Sequence, residues 1–410
     1  MPKKVSDLRS MVSQTTQFEK PLILDLTPSS PSLLDILIIT GEPSGDMHAA
    51  KLIRQLKAAQ PQLTVSAMGG EQLAAAGATT IVDHKGMAVM GFIEAIKIWR
   101  LIKKALKQLK NTIRQQRPKV VILVDYSGFN LPMAKFAKEH GAHVLYYIAP
   151  QVWAWRQNRV HKIKRWVDTL AVIFPFEVEF YRGFNIEAHF VGHPLAAQPL
   201  CTLTTAQAKL QLNLTPAQRV IALLPGSRRA EVRAILPTLL AAATQLYAEH
   251  PELQFVLPKA NAIDDAWVNE QLAMVTVPIK VTTQNRYTTM QACDIAIAAS
   301  GTVTLELALL EKPMIIVYKG NPLAFWLAKK WVKLDHAGLP NIIAKREIVP
   351  ELLQSDMSPE NIVSHVQQLL TDKTVYATQK NNLAKIHQQL QSDSTTVSLE
   401  EQVLKILQGS

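Results

Sequence analysis

The chain of 410 residues is predicted to form two doubly wound α/β domains, each Rossmann-like, that face each other across a cleft. Three observations predict this fold class. The length exceeds what a single hydrophobic core usually supports. Short apolar runs alternate with longer amphipathic stretches, as in parallel sheets covered by helices on both faces. The alternation also restarts near residue 219, as a second domain of the same kind requires.

Continuous apolar runs mark the strands of both halves. The segment 195–216, rich in Ala, Thr, Gln and Pro, separates the halves and is predicted to be a linker. The tail after Asp372 is polar and Gln-rich, and its pattern indicates an amphipathic helix that could pack on either domain. Strands are predicted at 35–40, 119–125, 143–149 and 169–174 in the first half, and at 219–224, 253–257, 294–298 and 314–318 in the second.

These patterns divide the chain into four parts. Residues 1–33 lack the apolar core of a signal peptide and are expected to form a flexible extension. Residues 34–197 and 198–372 are the two expected domains, and 373–410 form the C-terminal helical segment.

Composition narrows the class of protein. Apolar residues make up 48% and charged residues 19%, which indicates a globular chain. Two cysteines without metal-ligand spacing argue against a disulfide framework or a zinc site and fit a reducing cytoplasm. The net charge of +11 implies an anionic partner, either nucleic acid or an acidic membrane surface.

A glycine-containing loop follows the first predicted strand of the second half. Gly226 lets the backbone approach a ligand, and the helix predicted to begin near Glu231 offers free N–H groups to an anion. The sequence continues with Ser227 and with Arg228 and Arg229, whose planar guanidinium groups suit phosphate oxygens. This loop is predicted to bind phosphate; the alternative is a tight turn with solvated arginines.

A second loop of this kind follows the strand that is predicted to end at Ser300. Gly301 comes next, and Thr302 begins a helix with a hydroxyl group suited to its N-terminus. Glu306 lies one turn further on the same side, where it could accept hydrogen bonds from ribose hydroxyls or serve as a structural acid. Two such loops in one domain suit a nucleoside diphosphate. No GxxxxGKS/T or GxGxxG motif occurs, which argues against P-loop and dinucleotide chemistry.

Carboxylates follow two strands of the first half. Asp125 ends the apolar run KVVILVD, where burial would raise its pKa toward that of a general base. Glu42 and Asp46 lie in the loop after the first strand; Glu42 is placed to reach the cleft, whereas Asp46 is expected to cap its helix. The alternative for Asp125 is also a helix cap. His193, in a Gly-His-Pro setting at the domain edge, is as consistent with binding as with structure.

A basic amphipathic stretch lies between Lys97 and Lys119, where nine Lys or Arg residues occur without an acid. Apolar side chains recur every three or four residues, which predicts a helix of the kind found at membrane surfaces. The alternatives are a solvated helix on its own sheet and a nucleic-acid surface. The predicted membrane contacts are Met87, Val89, Met90, Phe92, Trp99, Lys103, Lys104 and Lys107.

Nine motifs occur in order between Leu34 and the C-terminus: ITGEPSGD, MGG, KGMAVMGFIE, VDYSGFN, YYIAPQVWAWRQNRV, FVGHPL, LLPGSRRAEV, ASGTVTLELAL and LPNIIAKREIVPELLQ. Together they make the chain resemble the lipid-A-disaccharide synthase family, two-domain glycosyltransferases of the GT-B type.

The resemblance implies transfer of 2,3-diacylglucosamine from its UDP carrier to the 6-hydroxyl of 2,3-diacylglucosamine 1-phosphate. The product would be the β-1,6-linked disaccharide precursor of lipid A, with UDP released. Because the donor is α-linked and the product β-linked, the reaction would invert the anomeric carbon. Direct displacement needs a base for the acceptor hydroxyl and groups that stabilise the leaving diphosphate. No metal or cofactor is implied.

The resemblance also assigns roles to residues. Asp125 would be the base, with Glu42 as an assisting or alternative acid. Gly226, Ser227, Arg228 and Arg229 would hold the diphosphate, and Ser300, Gly301, Thr302 and Glu306 the UDP portion. Family motifs alone add Asn341, Glu351 and Gln354 as substrate-binding residues. Gln151 and His193, which also lie in matching motifs, complete the expected set.

The implied protein is cytoplasmic and associates peripherally with the cytoplasmic face of the inner membrane. Its C-terminal helix would pack on the first domain or be exchanged in a homodimer. Two rivals remain. A peptidoglycan-type transferase would carry GGxGGH after the first strand, where this chain has GEPSGD. A non-catalytic basic protein that binds membrane or nucleic acid would not need two diphosphate loops.

Overall fold

The computed structural model describes residues 34–84, 94–154, 157–260, 262–283, 285–321, 335–391 and 398–409, with the backbone alone for 94–98. Its strands are β1 (Ile36–Ile39), β2 (Val65–Gly69), β3 (Thr79–Asp83), β4 (Val120–Val124), β5 (His143–Tyr147), β6 (Thr169–Val172), β7 (Ala188–Phe190), β8 (Val220–Leu224), β9 (Gln254–Pro258), β10 (Ile279–Thr282), β11 (Ile295–Ala299), β12 (Met314–Tyr318) and β13 (Glu351–Leu353).

The helices are α1 (Pro43–Ala59), α2 (Glu71–Ala75), α3 (Glu94–Gln116), α4 (Ser127–Glu139), α5 (Val160–Trp166), α6 (Pro175–Arg182), α7 (Thr205–Gln211), α8 (Arg229–Glu249), α9 (Asp265–Ala273), α10 (Arg286–Ala292), α11 (Thr302–Leu309), α12 (Leu339–Ala344), α13 (Pro359–Thr371), α14 (Lys373–Leu390) and α15 (Leu399–Gln408). Short 3₁₀ helices occupy Gln157–Arg159, Pro194–Ala196 and Gln354–Asp356.

The first sheet has seven strands in the order β3-β2-β1-β4-β5-β6-β7. β1 is parallel to both of its neighbours, with Ile36 opposite Val65 on β2 and Val120 on β4. All four residues of β1 are buried, as expected for a central strand covered on both faces. The strand order reverses between β1 and β4, which places the ligand-binding crevice of this sheet beyond the ends of those two strands.

The second sheet repeats this arrangement with six strands in the order β10-β9-β8-β11-β12-β13. β8 is parallel to β9 and β11, with Ile221 opposite Phe255 and Ile295. One face of the sheet packs against α8 and α13 in a continuous apolar core that includes Leu236 and Val366. The order reverses between β8 and β11, so the loops after these strands define the second crevice.

The described residues divide into two compact units. One lies within 1–147, 166–168 and 400–410, and the other within 148–165 and 169–399. The domain limits predicted at 34–197, 198–372 and 373–410 stay a prediction. The segment predicted as a linker contains a helix, α7, because Thr204 and Gln207 form a reciprocal capping box at its start.

Candidate active site

Asp125 follows β4 directly and lies at the crevice of the first sheet. Its side chain is exposed rather than buried, contrary to the expectation from its apolar strand. Desolvation by the surrounding protein nevertheless raises the pKa of its carboxyl group, and the negative charge of Glu42 raises it further. Glu42 precedes α1 and is exposed. The fold therefore brings the two predicted acids close enough for their charges to interact.

The backbone that carries Asp125 is strained. Asp125 and Tyr126 have φ values of 48° and 41°, in the left-handed region, at a cost of about 1–3 kcal/mol each for residues other than glycine. Asn130 Nδ2 donates to the carbonyl oxygens of Val124 and Asp125 at 3.1 and 2.9 Å. Tyr146 Oη donates to the Asp125 carbonyl at 2.6 Å. These bonds stabilise a conformation that the sequence by itself disfavours.

Tyr126 covers the loop that contains Glu42. A Cβ atom on Gly41 would lie 2.2 Å from the Tyr126 ring, so only glycine permits this close approach. The Tyr126 ring also stacks on Phe129 with 5.7 Å between centroids. The β1–α1 and β4–α4 loops are thus packed directly on each other.

The sequence suggested that Asp46 caps its own helix, but the structure shows other partners. Its carboxylate is buried and accepts hydrogen bonds from the backbone N–H groups of Gly70 at 2.7 Å and Gln72 at 3.0 Å. These groups lie at the start of α2, which the sequence pattern did not reveal. Asp46 therefore ties the β1–α1 loop to the β2–α2 loop.

A cavity of about 420 Å³ lies at the crevice of the second sheet. Its volume is within the range of about 300–1,000 Å³ that is usual for small-molecule sites. The loops after β8, β9 and β11 and the start of α10 surround it. The lining residues with polar or conformational roles are Gly226, Ser227, Arg228, Glu231, Lys259, Arg286, Ser300, Gly301, Thr302 and Glu306.

Gly226 adopts a φ of 105°, which residues with a Cβ atom rarely take. A Cβ there would lie 2.2 Å from Glu231 Oε2. The same Glu231 oxygen accepts a hydrogen bond from the Ser227 N–H at 3.2 Å. The predicted phosphate loop therefore presents backbone donors at the start of α8, and a carboxylate of the chain engages one of them.

The two arginines of this loop diverge. Arg228 immediately precedes α8 and lines the cavity. Arg229 Nε donates to the carbonyl oxygen of Ala262 at 3.0 Å, and Arg229 is not among the residues that line the cavity. α8 begins two residues before the predicted position near Glu231, so Arg229 already belongs to its first turn.

Arg286 is a cavity residue that the sequence reading missed. Its guanidinium group pairs with the buried carboxylate of Glu306, and Tyr287 Oη donates to the same carboxylate oxygen at 3.2 Å. Burial raises the pKa of Glu306, while Arg286 and Tyr287 act in the opposite direction. Arg286 keeps a 59% exposed side chain and adds positive charge to the cavity beside Arg228.

A hydrogen-bonded network joins the β11–α11 loop to the segment before α12. Ser300 Oγ donates to Ala337 O at 2.8 Å. Glu351 accepts from the backbone N–H groups of Ala337 and Gly338 at 2.7 and 2.9 Å. Asn341 is fully buried. Its Nδ2 donates a hydrogen bond to Glu351 at 2.7 Å, and its Oδ1 accepts hydrogen bonds from two backbone N–H groups. In this geometry Asn341 and Glu351 fix the backbone beside Ser300.

The remaining predicted binding residues lie elsewhere in the second unit. Gln354 accepts a hydrogen bond from Gly320 N at 3.4 Å, and its Nε2 is buried without a partner among the described residues. His193 is buried, with Nδ1 accepting from Leu195 N at 3.2 Å and its ring 5.3 Å from that of Phe174. Gln151 is exposed.

The basic helix α3 is partly a core helix. Ala105, Leu109 and Ile113 are buried, whereas the predicted membrane contact Trp99 is 57% exposed. The Nζ of Lys103 lies 3.5 Å from the centroid of the Trp99 ring. Lys103, Lys104 and Lys107 are exposed, and the predicted contacts Met87, Val89, Met90 and Phe92 lie outside the described residues. Within the described ranges, no helix combines the length and apolarity needed to span a bilayer.

Solved structures with the same architecture identify the fold class. The chain matches UDP-GlcNAc 2-epimerase from Neisseria meningitidis with a TM-score of 0.61 at 12% identity, over 92% of this chain and 100% of that one. It matches MurG from Acinetobacter baumannii with a TM-score of 0.56 at 14% identity, over the same shares of the two chains. Together with two parallel sheets whose order reverses beside polar loops, these likenesses define a GT-B protein.

The particular family follows from sequence similarity. A sequence model of the family described as lipid-A-disaccharide synthetase matches residues 36–407. Lipid-A-disaccharide synthase from Trichlorobacter lovleyi is 44% identical over 87% of this chain and 93% of its own length. The enzymes of the same name from Geobacter sulfurreducens and Coxiella burnetii are each 40% identical, over 91% and 82% of this chain and 97% and 89% of their own. The chain belongs to the lipid-A-disaccharide synthase family and is a glycosyltransferase of lipid A biosynthesis.

Proposed function

We propose that the chain transfers 2,3-diacylglucosamine from UDP to the 6-hydroxyl of 2,3-diacylglucosamine 1-phosphate, with inversion at the anomeric carbon. The observation that carries this proposal is the separation of charge between the two crevices. Acids face the crevice of the first sheet. Three cations and backbone donors face the crevice of the second, where the two acids Glu231 and Glu306 are engaged by hydrogen bonds within the chain. A displacement of this kind needs a base for the acceptor and a positive environment for the leaving group.

The UDP carrier is assigned to the second crevice. Arg228 and Arg286 supply charge-assisted hydrogen bonds to the diphosphate, and the Gly226–Ser227 backbone adds N–H donors at a helix start. Arg286 holds Glu306 beside these groups, where the Glu306 carboxylate can accept a hydrogen bond from a ribose hydroxyl. These groups would stabilise the negative charge that develops on UDP as the glycosidic bond breaks.

The acceptor is assigned to Asp125. Its raised pKa makes it a stronger base than an ordinary aspartate. Asp125 would take the proton of the 6-hydroxyl as the oxygen attacks the anomeric carbon from the face opposite UDP. Glu42 would keep the basicity of Asp125 high through its negative charge.

The reaction is tested by incubating the chain with both substrates without added metal. The expected products are UDP and a disaccharide 1-phosphate, whose anomeric proton coupling in NMR is that of a β linkage. Asp125→Ala should lose most of this activity, whereas Asp83→Ala, which removes a carboxylate at the end of the edge strand β3 of the same sheet, should retain it. An α-linked product would contradict inversion, and no product from folded protein would contradict the substrate assignment.

We also propose that α3 binds an anionic membrane surface, where the acyl chains of both substrates reside. The exposed Trp99 with Lys103 beside its ring, together with Lys104 and Lys107, is a combination suited to the headgroup region. Because Leu109 and Ile113 are buried, this role is assigned to the exposed residues of the helix up to Lys107.

Charge reversal at Lys103, Lys104 and Lys107 tests the membrane proposal. Each lysine near an anionic surface contributes about 1 kcal/mol, so vesicle binding at low salt should fall by roughly a hundredfold or more. UDP affinity should not change. The same reversal at Lys373, Lys380 and Lys385, three exposed lysines of α14, is the control for net charge. Equal losses in both triple variants would contradict a specific role for α3.

A further inference from the structure

The turn after β4 contains the only two adjacent non-glycine residues of positive φ among the described residues. These are Asp125 and Tyr126, at 48° and 41°. Glycine, asparagine and aspartate take this conformation most readily, so Tyr126 is the less tolerant of the two residues. A turn of this kind persists only where neighbouring groups stabilise it.

Two side chains converge on the carbonyl group at the centre of this turn. Tyr146 Oη donates to the Asp125 carbonyl oxygen at 2.6 Å from the adjacent strand β5. Asn130 Nδ2 donates to the same oxygen at 2.9 Å from the first turn of α4. Both residues are fully buried. The Asp125 N–H is also fixed, since it donates to Tyr147 O at 3.1 Å.

We propose that Tyr146 and Asn130 are positioning residues for the transfer reaction, which hold the Asp125–Tyr126 backbone in its left-handed turn and so fix where the Asp125 carboxyl group points. The inference rests on the proposed role of Asp125 as the base. Neither side chain needs to touch substrate. The φ angle of Asp125 sets the direction of its side chain and the ψ angle sets that of its carbonyl group, so a turn released from these two donors is free to change both.

The conservative variant Tyr146→Phe removes one hydroxyl group and keeps the ring in the core. The expected result is a kcat lower by roughly tenfold to a hundredfold, as for a catalytic group displaced by a fraction of an ångström, with KM for both substrates little changed. The acid limb of the kcat profile should also move to lower pH, because a less confined Asp125 is better solvated. A purely structural hydroxyl would move neither quantity.

Tyr376→Phe is the matched control. Tyr376 Oη donates to a backbone carbonyl, that of Asp294, at 3.2 Å in the second unit. Both variants lose one hydrogen bond from a phenol to a main-chain oxygen, so they should lose similar thermal stability. Only Tyr146→Phe should lose kcat and change its pH profile.

A second pair of variants tests whether the role is exerted through the backbone. Tyr126→Asn introduces a residue that accepts positive φ, so the loss of kcat caused by Tyr146→Phe should be smaller in this background. Asn130→Asp replaces the amide donor by a carboxylate and should reproduce the lower kcat and the shifted acid limb of Tyr146→Phe. It is the alternative test if Tyr146→Phe does not fold. Wild-type kcat and pH profile in folded Tyr146→Phe would overturn the inference.

The outcome for Asp125→Asn separates this inference from the proposed function. If Asp125→Asn is inactive while Tyr146→Phe is fully active, the base stands and the positioning role fails. If Asp125→Asn keeps wild-type activity, the assignment of the base fails, and with it the positioning role.

Discussion

The loops after β4 and β8 each lie beside the point where the strand order of their sheet reverses, but they carry opposite chemistry. Each follows a central strand. The β4 loop presents Asp125, next to Glu42. The β8 loop presents Arg228 and backbone donors. The crevice at the reversal point therefore presents a candidate base in one sheet and a candidate anion site in the other.

The two loops also reach the left-handed region by different means. In the β8 loop Gly226 adopts a φ of 105° without cost from a Cβ atom. In the β4 loop Asp125 and Tyr126 adopt positive φ despite their side chains, and Asn130 and Tyr146 hold them there. At its turn the anion site uses only backbone groups, so glycine suffices there; a base needs a side chain at the turn, so the surroundings must supply the stability.

Removal of Arg286 should have the largest effect on the anion side of this comparison. Hydrogen bonds to charged groups contribute about 1.5–3 kcal/mol, so Arg286→Ala should raise KM for the UDP donor roughly tenfold to a hundredfold. It also leaves the buried Glu306 carboxylate without its cation. Arg233→Ala, an exposed arginine of α8, is the control in steady-state kinetics. An unchanged donor KM for Arg286→Ala would remove it from the donor site.

Gly226→Ala should damage the anion loop through its backbone. The substitution forces an alanine to φ 105° and places its Cβ against Glu231, so stability should fall by about 1–3 kcal/mol and UDP affinity should fall with it. Gly128→Ala, at the start of α4 where a Cβ meets no atom within 4 Å, should change neither. Denaturant unfolding and UDP titration calorimetry measure both quantities. Equal behaviour of the two variants would show that the positive φ is not required.

Glu42→Gln should have a smaller effect, visible in the pH profile. Desolvation and the charge of Glu42 raise the pKa of Asp125, and a base acts only when ionised, so the acid limb of kcat/KM lies above the ordinary range of an aspartate. Without the Glu42 charge this pKa falls and the limb moves to lower pH. Glu139→Gln, an exposed acid of α4, should leave the limb in place. Complete loss of activity in Glu42→Gln would instead favour Glu42 as the base.

The sequence predicted the central strands well because they are buried on both faces. The runs at β1, β4, β8 and β11 are continuously apolar, which is a local property of the sequence. β2, β3, β7, β10 and β13 were missed, since they are short or mix polar with apolar residues. The two-domain fold class is confirmed. It could be predicted because repeated strand–helix alternation is itself a local pattern.

The site was predicted where loops follow strands and missed where tertiary contacts decide. Arg286 lies at the start of α10, twenty residues before Glu306, and only the fold pairs them. Arg229 looked equivalent to Arg228 in the sequence. Because Arg229 lies one position further on, in the first turn of α8, its side chain instead donates to Ala262. Asp46 looked like a local cap, but its partners Gly70 and Gln72 follow β2, a strand that was not anticipated.

The most direct test of the division between base and anion site measures UDP affinity and turnover on the same Asp125→Asn protein. Turnover should fall by roughly 10²–10⁴-fold, the usual contribution of a general base, while UDP binds as tightly as to the wild type. Substantial turnover in this variant, or a loss of UDP affinity equal to the loss of turnover, would contradict the separation of the two roles.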